Sequence, residues 1–232
     1  MNVLIVIPAY NEEASIGHVI NDVKKSNPDT DILVVNDGST DNTSEIAKQT
    51  DVLVLDIPFN IGYGGAVQAG FQFATKYGYD VVITMDGDGQ HDPLSVNNLI
   101  EKMIQEGADV VIGSRFIEGT YKMSAGRKIG VRLFSKIAGI YTGKNFTDPT
   151  SGFQLLNRKV FSLLSEGDNY PLDYPDVNII MILHKMRFNV VESPVKMNEK
   201  PGGKSMHSGL KPLIYILQMF LAVLMVYLRK ED

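Results

Sequence analysis

The chain has 232 residues, enough for one ample α/β domain with a small appendage, and its 44% hydrophobic content is ordinary for a globular protein. It has no cysteine, which excludes a disulfide framework and a thiolate metal site and fits a reducing compartment. The net charge of −5 hides a split, with −12 on residues 1–121 and +7 on residues 122–232, so that one end suits cations and the other suits anionic phosphates or an anionic membrane surface, unless surface charge is simply partitioned by chance.

The first apolar run, Val3 to Ile7, is too short for a signal-peptide core and lacks a basic leader; it reads as a buried strand. A helix follows, with Ile16, Val19, Ile20 and Val23 at i, i+3, i+4, i+7. Further strands are predicted at Ile32 to Val35, Val52 to Leu55, Val81 to Thr84 and Val110 to Ile112. Val96, Leu99, Ile100, Met103 and Ile104 repeat the helical stripe, with Asp92 as N-cap and Pro93 at the first helical position. After residue 115 the rhythm changes. Phe116 to Ser124 reads as a loop, Lys128 to Tyr141 as a helix carrying Arg132 and Lys136, and Val190 to Val195 as a strand. Pro201-Gly202-Gly203-Lys204-Ser205 is a flexible basic loop. From Leu213 to Leu228 only Gln218 is strongly polar. Such a helix reaches roughly 24 Å, short of the ~30 Å bilayer core. Being apolar all round, it is expected against a membrane interface, a partner or the protein core.

Alternating β and α units predict a mostly parallel, doubly wound sheet with helices on both faces. Ligands bind such sheets beyond the carboxyl ends of the strands. Three polar segments fall there: Pro8-Ala9-Tyr10-Asn11-Glu12-Glu13, Asn36-Asp37-Gly38-Ser39 and Asp86-Gly87-Asp88. Topology gathers them in one crevice. Asp86 and Asp88 close a buried strand and have glycines beside them, the pattern that presents hard oxygen ligands to a divalent cation holding a diphosphate. An EF-hand is excluded, because His91 stands where that loop needs glycine. Gly62-Tyr63-Gly64-Gly65-Ala66 fails as a dinucleotide fingerprint at Val67, and Gly203-Lys204-Ser205 fails as a P-loop at Asn198. His91 is either a ligand or base, or a structural turn residue.

Taken in order, the segments at 8–13, 36–41 and 60–66, Asp86-Gly87-Asp88-Gly89-Gln90-His91, Gly113-Ser114-Arg115-Phe116 and Asp148-Pro149-Thr150-Ser151-Gly152-Phe153 resemble family 2 glycosyltransferases. The nearest branch is the dolichyl-phosphate mannose synthase-like group of polyprenyl-phosphate glycosyltransferases. The resemblance implies a GT-A type fold over residues 1–208, with a nucleotide-sugar half (1–115) and an acceptor half (116–208), followed by a membrane- or partner-associated helix (209–232). It implies that Pro8, Ala9, Tyr10, Glu12, Asp37, Gly65 and Asp86 line the nucleotide-sugar, with Lys200 and Lys204 closing on its diphosphate. Lys200 stands where the family usually has arginine, and lysine lacks the bidentate fork. Asp86, Asp88 and Gln90 would hold magnesium or manganese. Arg115 would meet the acceptor phosphate, and Arg127, Arg132 and Ser135 lie in the stretch that supplies further contacts.

The implied reaction is inverting transfer from a nucleotide-sugar, UDP-glucose or UDP-N-acetylglucosamine, to a polyprenyl phosphate. That phosphate is already ionised, so no strong base is needed. Asp148 is the reserve base for a hydroxyl acceptor; its alternative role is capping the turn before Gly152. The implied location is the cytoplasmic face of the membrane, peripheral or monotopic, with a small membrane-protein subunit as a further partner and no nucleic acid. Two alternatives remain: transfer to a sugar hydroxyl in polysaccharide synthesis, and a non-catalytic nucleotide-sugar-binding subunit.

Overall fold

The structure, a computed structural model, describes residues 1–118, 125–172 and 175–198, together with Leu221, Met225 and Val226; for 125–127 it describes the backbone alone. The strands are β1 (Val3–Ala9), β2 (Asp31–Asp37), β3 (Leu53–Ile57), β4 (Val81–Thr84), β5 (Val110–Ser114), β6 (Gln154–Asn157) and β7 (Val190–Pro194). They form one sheet in the order β3-β2-β1-β4-β6-β5-β7. Only β6 runs against its neighbours, pairing antiparallel with β4 and β5. The other pairings are parallel. The expected mostly parallel, doubly wound sheet is therefore present, and its apolar strands are buried on both faces as such sheets require.

The helices are α1 (Ile16–Ser26), α2 (Thr43–Lys48), α3 (Gly62–Tyr77), α4 (Ser95–Glu106), α5 (Ala125–Thr142), α6 (Arg158–Leu164) and α7 (Val177–Lys185). Core residues of α3, α5, α6 and α7 share one cluster with Leu4, Val6, Leu33 and Val35 of the sheet. Those of α1, α2 and α4 share the other with Ile5, Ile7, Val34 and Ile83. Alternate residues of β1 and β2 thus feed opposite cores, as the two-residue strand period dictates. In α1 the stripe Ile16, Val19, Ile20, Val23 is buried as expected. Each such side chain is worth about 1.5–3 kcal/mol on burial. The helix stops at Asn27, before Pro28, and Lys24 and Lys25 in its last turn complement the helix dipole.

The expected start of α4 is corrected. Asp92 does not cap it and Pro93 is not its first residue; the helix begins at Ser95. Asp92 instead closes a short turn, its carboxylate accepting from the Leu94 N–H at 3.0 Å. The Asp92 and Pro93 carbonyls accept the Ser95 and Val96 N–H groups in i→i+3 turn bonds, and the Pro93 carbonyl also accepts from the Asn27 amide at 3.0 Å.

Among the described residues no helix is long and apolar enough to cross a membrane. The expected apolar helix near the C-terminus lies outside the described residues, apart from its three described positions. Of these, Val226 packs against the cluster shared by α3, α5, α6 and α7, while Leu221 and Met225 are exposed.

Candidate active site

The carboxyl ends of β1, β2 and β4 bring the three polar segments together. The first two loops are stitched directly: Asn11 N–H donates to Ser39 Oγ (3.0 Å), Glu12 N–H to Thr43 Oγ1 (2.9 Å) and Thr40 N–H to Asn11 Oδ1 (2.9 Å). Pro8 and Ala9 end β1 and are buried, whereas Tyr10 is exposed. Glu12 is half-buried, and its carboxylate accepts from Ser15 Oγ at 2.8 Å.

Asp37, expected to line the nucleotide-sugar, ends β2. It is 3% exposed, and its carboxylate accepts from the N–H groups of Ile61 (2.7 Å) and Gly62 (3.0 Å). These are orphan donors at the start of α3, so Asp37 latches β2 to that helix. Gly65, in the first turn of α3, is buried against the Ile61 side chain. Its neighbour Gly64 has a sharper reason to be glycine: a Cβ there would lie 2.2 Å from the Leu172 carbonyl oxygen.

Asp86 is the hub of the site. Its Oδ2 lies 3.1 Å from His91 Nε2, and the Tyr63 hydroxyl also bonds to it. Burial opposes its ionisation. The His91 hydrogen bond and charge, the Tyr63 hydroxyl and the Arg115 charge outweigh that penalty and hold its carboxyl below the usual carboxylate range. The same surroundings push the Tyr63 phenol well above its ordinary value, through burial of the hydroxyl and then the Asp86 charge. His91 is 5% exposed and packs on Phe153 at 4.9 Å between ring centroids. Its Nδ1 is buried without a hydrogen-bond partner. Nε2 is the ring nitrogen that bonds Asp86, so the ring is oriented by that one contact and by its packing on Phe153. This supports the structural reading of His91, as an orienter of Asp86.

Asp88 is half-buried, and its Oδ1 accepts the Gln90 N–H at 3.0 Å, which folds Asp88 and Gln90 onto one turn. Among the described residues no group of three or more His, Cys, Asp or Glu is arranged to hold a metal. The hard oxygens of Asp86, Asp88 and Gln90 fit magnesium or manganese bound mainly by substrate phosphates, a mode that uses only one or two protein carboxylates.

A cavity of about 160 Å³ opens beside Asp86, lined also by Tyr63, Thr84, Gly152, Gln154, Tyr170 and Asp176. Gly152 is a close-approach position: a Cβ there would lie 2.6 Å from the Tyr63 hydroxyl and 3.3 Å from Asp86 Oδ1. Burial, and then the charges of Asp176 and Asp86, push the Tyr170 phenol far up, so both tyrosines stay protonated donors. Sequence reasoning missed Tyr63, Tyr170 and Asp176. The Tyr63-Gly64-Gly65 segment was visible, but which way its tyrosine points was not.

Arg115 directly follows β5 and is clamped by Asp148. Nε and Nη2 donate to the two carboxylate oxygens at 2.6 and 2.7 Å, and the Arg115 N–H adds a third bond at 3.1 Å. Asp148 has no exposed surface. It holds Arg115 and bonds Thr150 Oγ1, a different job from the reserve base. Glu192 on β7 fixes the chain around it, accepting the N–H groups of Thr147 and Asp148. Burial raises the Glu192 pKa, and the Asp148 charge adds to that. Arg132 is exposed on α5 and Ser135 is half-buried there. The side chain of Arg127, and all of Lys200 and Lys204, lie outside the described residues.

The family model described as "Glycosyl transferase family 2" matches residues 4–164, well over half of the chain. The chain belongs to glycosyltransferase family 2. It is an enzyme of the glycosyltransferase class, and its fold is the GT-A fold. The transferase is 32% identical to an undecaprenyl-phosphate mannosyltransferase of Micrococcus luteus over 90% of this chain and 88% of that one. It is 30% identical to a UDP-N-acetylglucosamine–dolichyl-phosphate N-acetylglucosaminyltransferase of Methanococcus voltae, over 84% of each. Among solved structures, glucosyl-3-phosphoglycerate synthase of Mycobacterium tuberculosis with manganese, UDP-glucose and phosphoglyceric acid superposes with a TM-score of 0.71 at 20% identity, over 100% of this chain and 81% of that one. At that identity the likeness carries the fold alone.

Proposed function

We propose that this transferase moves a hexose from a UDP-sugar to a polyprenyl phosphate at the membrane, with a divalent cation and inversion at the anomeric carbon. The observation that carries the reading is that Asp86 and Thr150 line one cavity and the clamped cation Arg115 donates to Thr150 Oγ1 at 3.3 Å, near enough for its charge to act on Asp86. The names of the similar mannosyl- and N-acetylglucosaminyltransferases support the lipid phosphate acceptor.

Pro8, Ala9, Tyr10 and Glu12 would border the nucleotide, and the Asp37 latch would keep α3 in place beneath it. Asp86, Asp88 and Gln90 would hold the cation, which when bound offsets the charge that develops on the leaving diphosphate. The sugar would lie in the cavity beside Asp86, with the Tyr63 and Tyr170 hydroxyls and Gln154 within its lining. Arg115 would orient the acceptor phosphate. Its planar fork is already half spent on Asp148, so it arrives pre-aimed and loses little freedom on binding. The acceptor oxygen is an anion before it enters, so no side chain has to take a proton. A base is unnecessary, and Asp148 is engaged elsewhere.

The test is Asp88→Ala. Transfer of radiolabelled sugar into an organic-soluble, mild-acid-labile product should fall by at least about 100-fold, while the melting temperature moves little. Near-normal metal-dependent turnover of the purified variant would refute the assignment. Label that instead enters a water-soluble polysaccharide would move the acceptor to a sugar hydroxyl.

A further inference from the structure

We propose that Glu192, on β7, is the positioning residue that aims Arg115 at the acceptor phosphate. The inference deepens the transferase reading and rests on it for the acceptor role of Arg115. Strands β5 and β7 run parallel, with Ile112 beside Glu192, so Glu192 sits level with a residue three positions before Arg115. It reaches Arg115 through the turn at 147–148, by two routes.

The first route runs through side chains. Glu192 Oε1 accepts the Asp148 N–H at 2.7 Å, and the Asp148 carboxylate takes Arg115 Nε and Nη2 at 2.6 and 2.7 Å. The second holds the backbone on either side of Arg115. Glu192 Oε2 accepts the Thr147 hydroxyl at 2.9 Å. That hydroxyl has spent its hydrogen, so at 2.6 Å it accepts from Ser114 Oγ. Ser114 Oγ in turn accepts the Phe116 N–H at 3.2 Å. Ser114 and Phe116 are the chain neighbours of Arg115. Every donor in this second route points toward the carboxylate, which therefore sets the direction of both hydroxyls. The Thr147 N–H, shared between the two Glu192 oxygens at 2.9 and 2.8 Å, pins the turn between the routes.

The carboxylate is costly where it stands. Burial opposes its charge and so does Asp148, and among the described residues no cation is ion-paired with it. Covering the edge of the sheet does not require it. Lys144 already covers part of β7, donating to the Val190 carbonyl at 3.1 Å. What Glu192 adds is one planar group that accepts two consecutive N–H groups and a hydroxyl at once, and so fixes both the clamp on Arg115 and the chain that carries it.

The experiment compares Glu192→Ala, Glu192→Gln and Glu192→Asp, with Arg115→Lys as reference. Misplacing a positioned group by about 1 Å costs up to about 100-fold. Glu192→Ala should therefore lower kcat/KM for polyprenyl phosphate about ten- to 100-fold, with UDP affinity in the presence of manganese within about two-fold of wild type. Glu192→Gln keeps an oxygen for the Asp148 N–H and should lose less than about ten-fold. Glu192→Asp keeps the charge but is one carbon–carbon bond too short, and should resemble Glu192→Ala. Proton–nitrogen correlation NMR reads the placement without turnover. In the wild type the Arg115 Nε–H should exchange slowly with water, its signal being assigned by its absence in Arg115→Lys. In Glu192→Ala that signal should broaden or vanish. The Arg158 Nε–H, held by the Tyr79 carbonyl at 2.6 Å where β6 passes into α6, should persist, whereas general loosening of the fold would weaken both. Unchanged acceptor kinetics, or an undisturbed Arg115 signal, in Glu192→Ala overturns the inference. So does a Glu192→Asp variant that behaves as wild type while Glu192→Gln falls to the alanine level, because charge and not placement would then be the cause. The acceptor reading fails separately: if Arg115→Lys leaves the acceptor kinetics unchanged, Arg115 does not serve the acceptor, whatever the Glu192 variants do to its signal.

Discussion

Replacing Asp148 by Asn tests whether Arg115 is a cation held in readiness. The change keeps the shape of the side chain but removes its charge. One oxygen that now accepts from Arg115 becomes an amide that presents hydrogens to a guanidinium. Three bonds to Asp148 are affected, at 2.6, 2.7 and 3.1 Å, and the carboxylate has no exposed surface over which water could compensate. Removing one partner of a buried pair costs about 3–5 kcal/mol, because the other charge stays buried. Arg115 retains 17% side-chain exposure and a bond to Thr150 Oγ1 at 3.3 Å, so the lower end, about 3 kcal/mol, is expected. For a domain of this size that is a fall of about 6–12 °C in Tm. Scanning calorimetry measures the fall. Initial rates at varied polyprenyl phosphate should drop at least about 100-fold in kcat/KM for the acceptor, while UDP affinity with manganese, read by titration calorimetry, stays within about two-fold. An unchanged Tm would show that the clamp does not hold Arg115. A loss of UDP affinity equal to the loss of transfer would show that Arg115 serves the donor.

Three further outcomes are expected. Gly152→Ala should push the Tyr63 hydroxyl off Asp86 and lower kcat/KM for the donor about ten-fold, about 1.4 kcal/mol, with Tyr63→Phe giving a loss of similar size in the same assay. Asp56 is held down to about 2 by Lys48, with Ser44 and Asn36 also bonded to it. A depressed carboxyl stabilises the fold above its unfolded value and loses that effect as pH falls toward 2. The pair is 54% and 42% exposed, so Asp56→Asn should cost no more than about 1 kcal/mol at pH 7 in urea melts, and the difference should vanish at the acid end. Glu192 has a raised pKa, so wild-type stability should decline as pH rises from the ordinary glutamate value of about 4.3 toward neutrality. Glu192→Gln should flatten that slope, because the amide oxygen can still accept the Asp148 N–H.

Much of the fold was legible because β1, β2, β4 and β5 are unbroken apolar runs, a pattern that little besides a buried parallel strand produces at that length. The meeting of their loops followed from topology alone. The elements that escaped have physical reasons. The glycines at 62, 64, 65 and 70 blur the helical pattern of α3 while allowing its close packing on Leu172 and Val6. In α7, buried residues lie almost all round the helix, so no periodicity stands out. Strand β6 is only four residues long and includes Gln154 and Asn157. At the site, Asp86 and Asp88 were visible because they stand only two positions apart in the chain. The Arg115–Asp148 clamp joins residues 33 positions apart, and the roles of Asp37 and Tyr63 depend on directions that a string of letters does not carry.

The antiparallel strand β6 has a consequence for engineering. It arrives late in the chain yet lies between β4 and β5, so residues from both halves share one ladder, and Gly152, just before it, touches the Asp86 hub. Residues 1–115 therefore have no natural seam along which they could be cut away. A chimera joined after residue 115 would import a foreign β6 against the native β4. A one-residue error in that splice would turn Leu155 out of its core and carry the 148–152 turn away from Arg115. Grafting a new acceptor preference onto this scaffold means replacing loops around a retained β6, not exchanging modules.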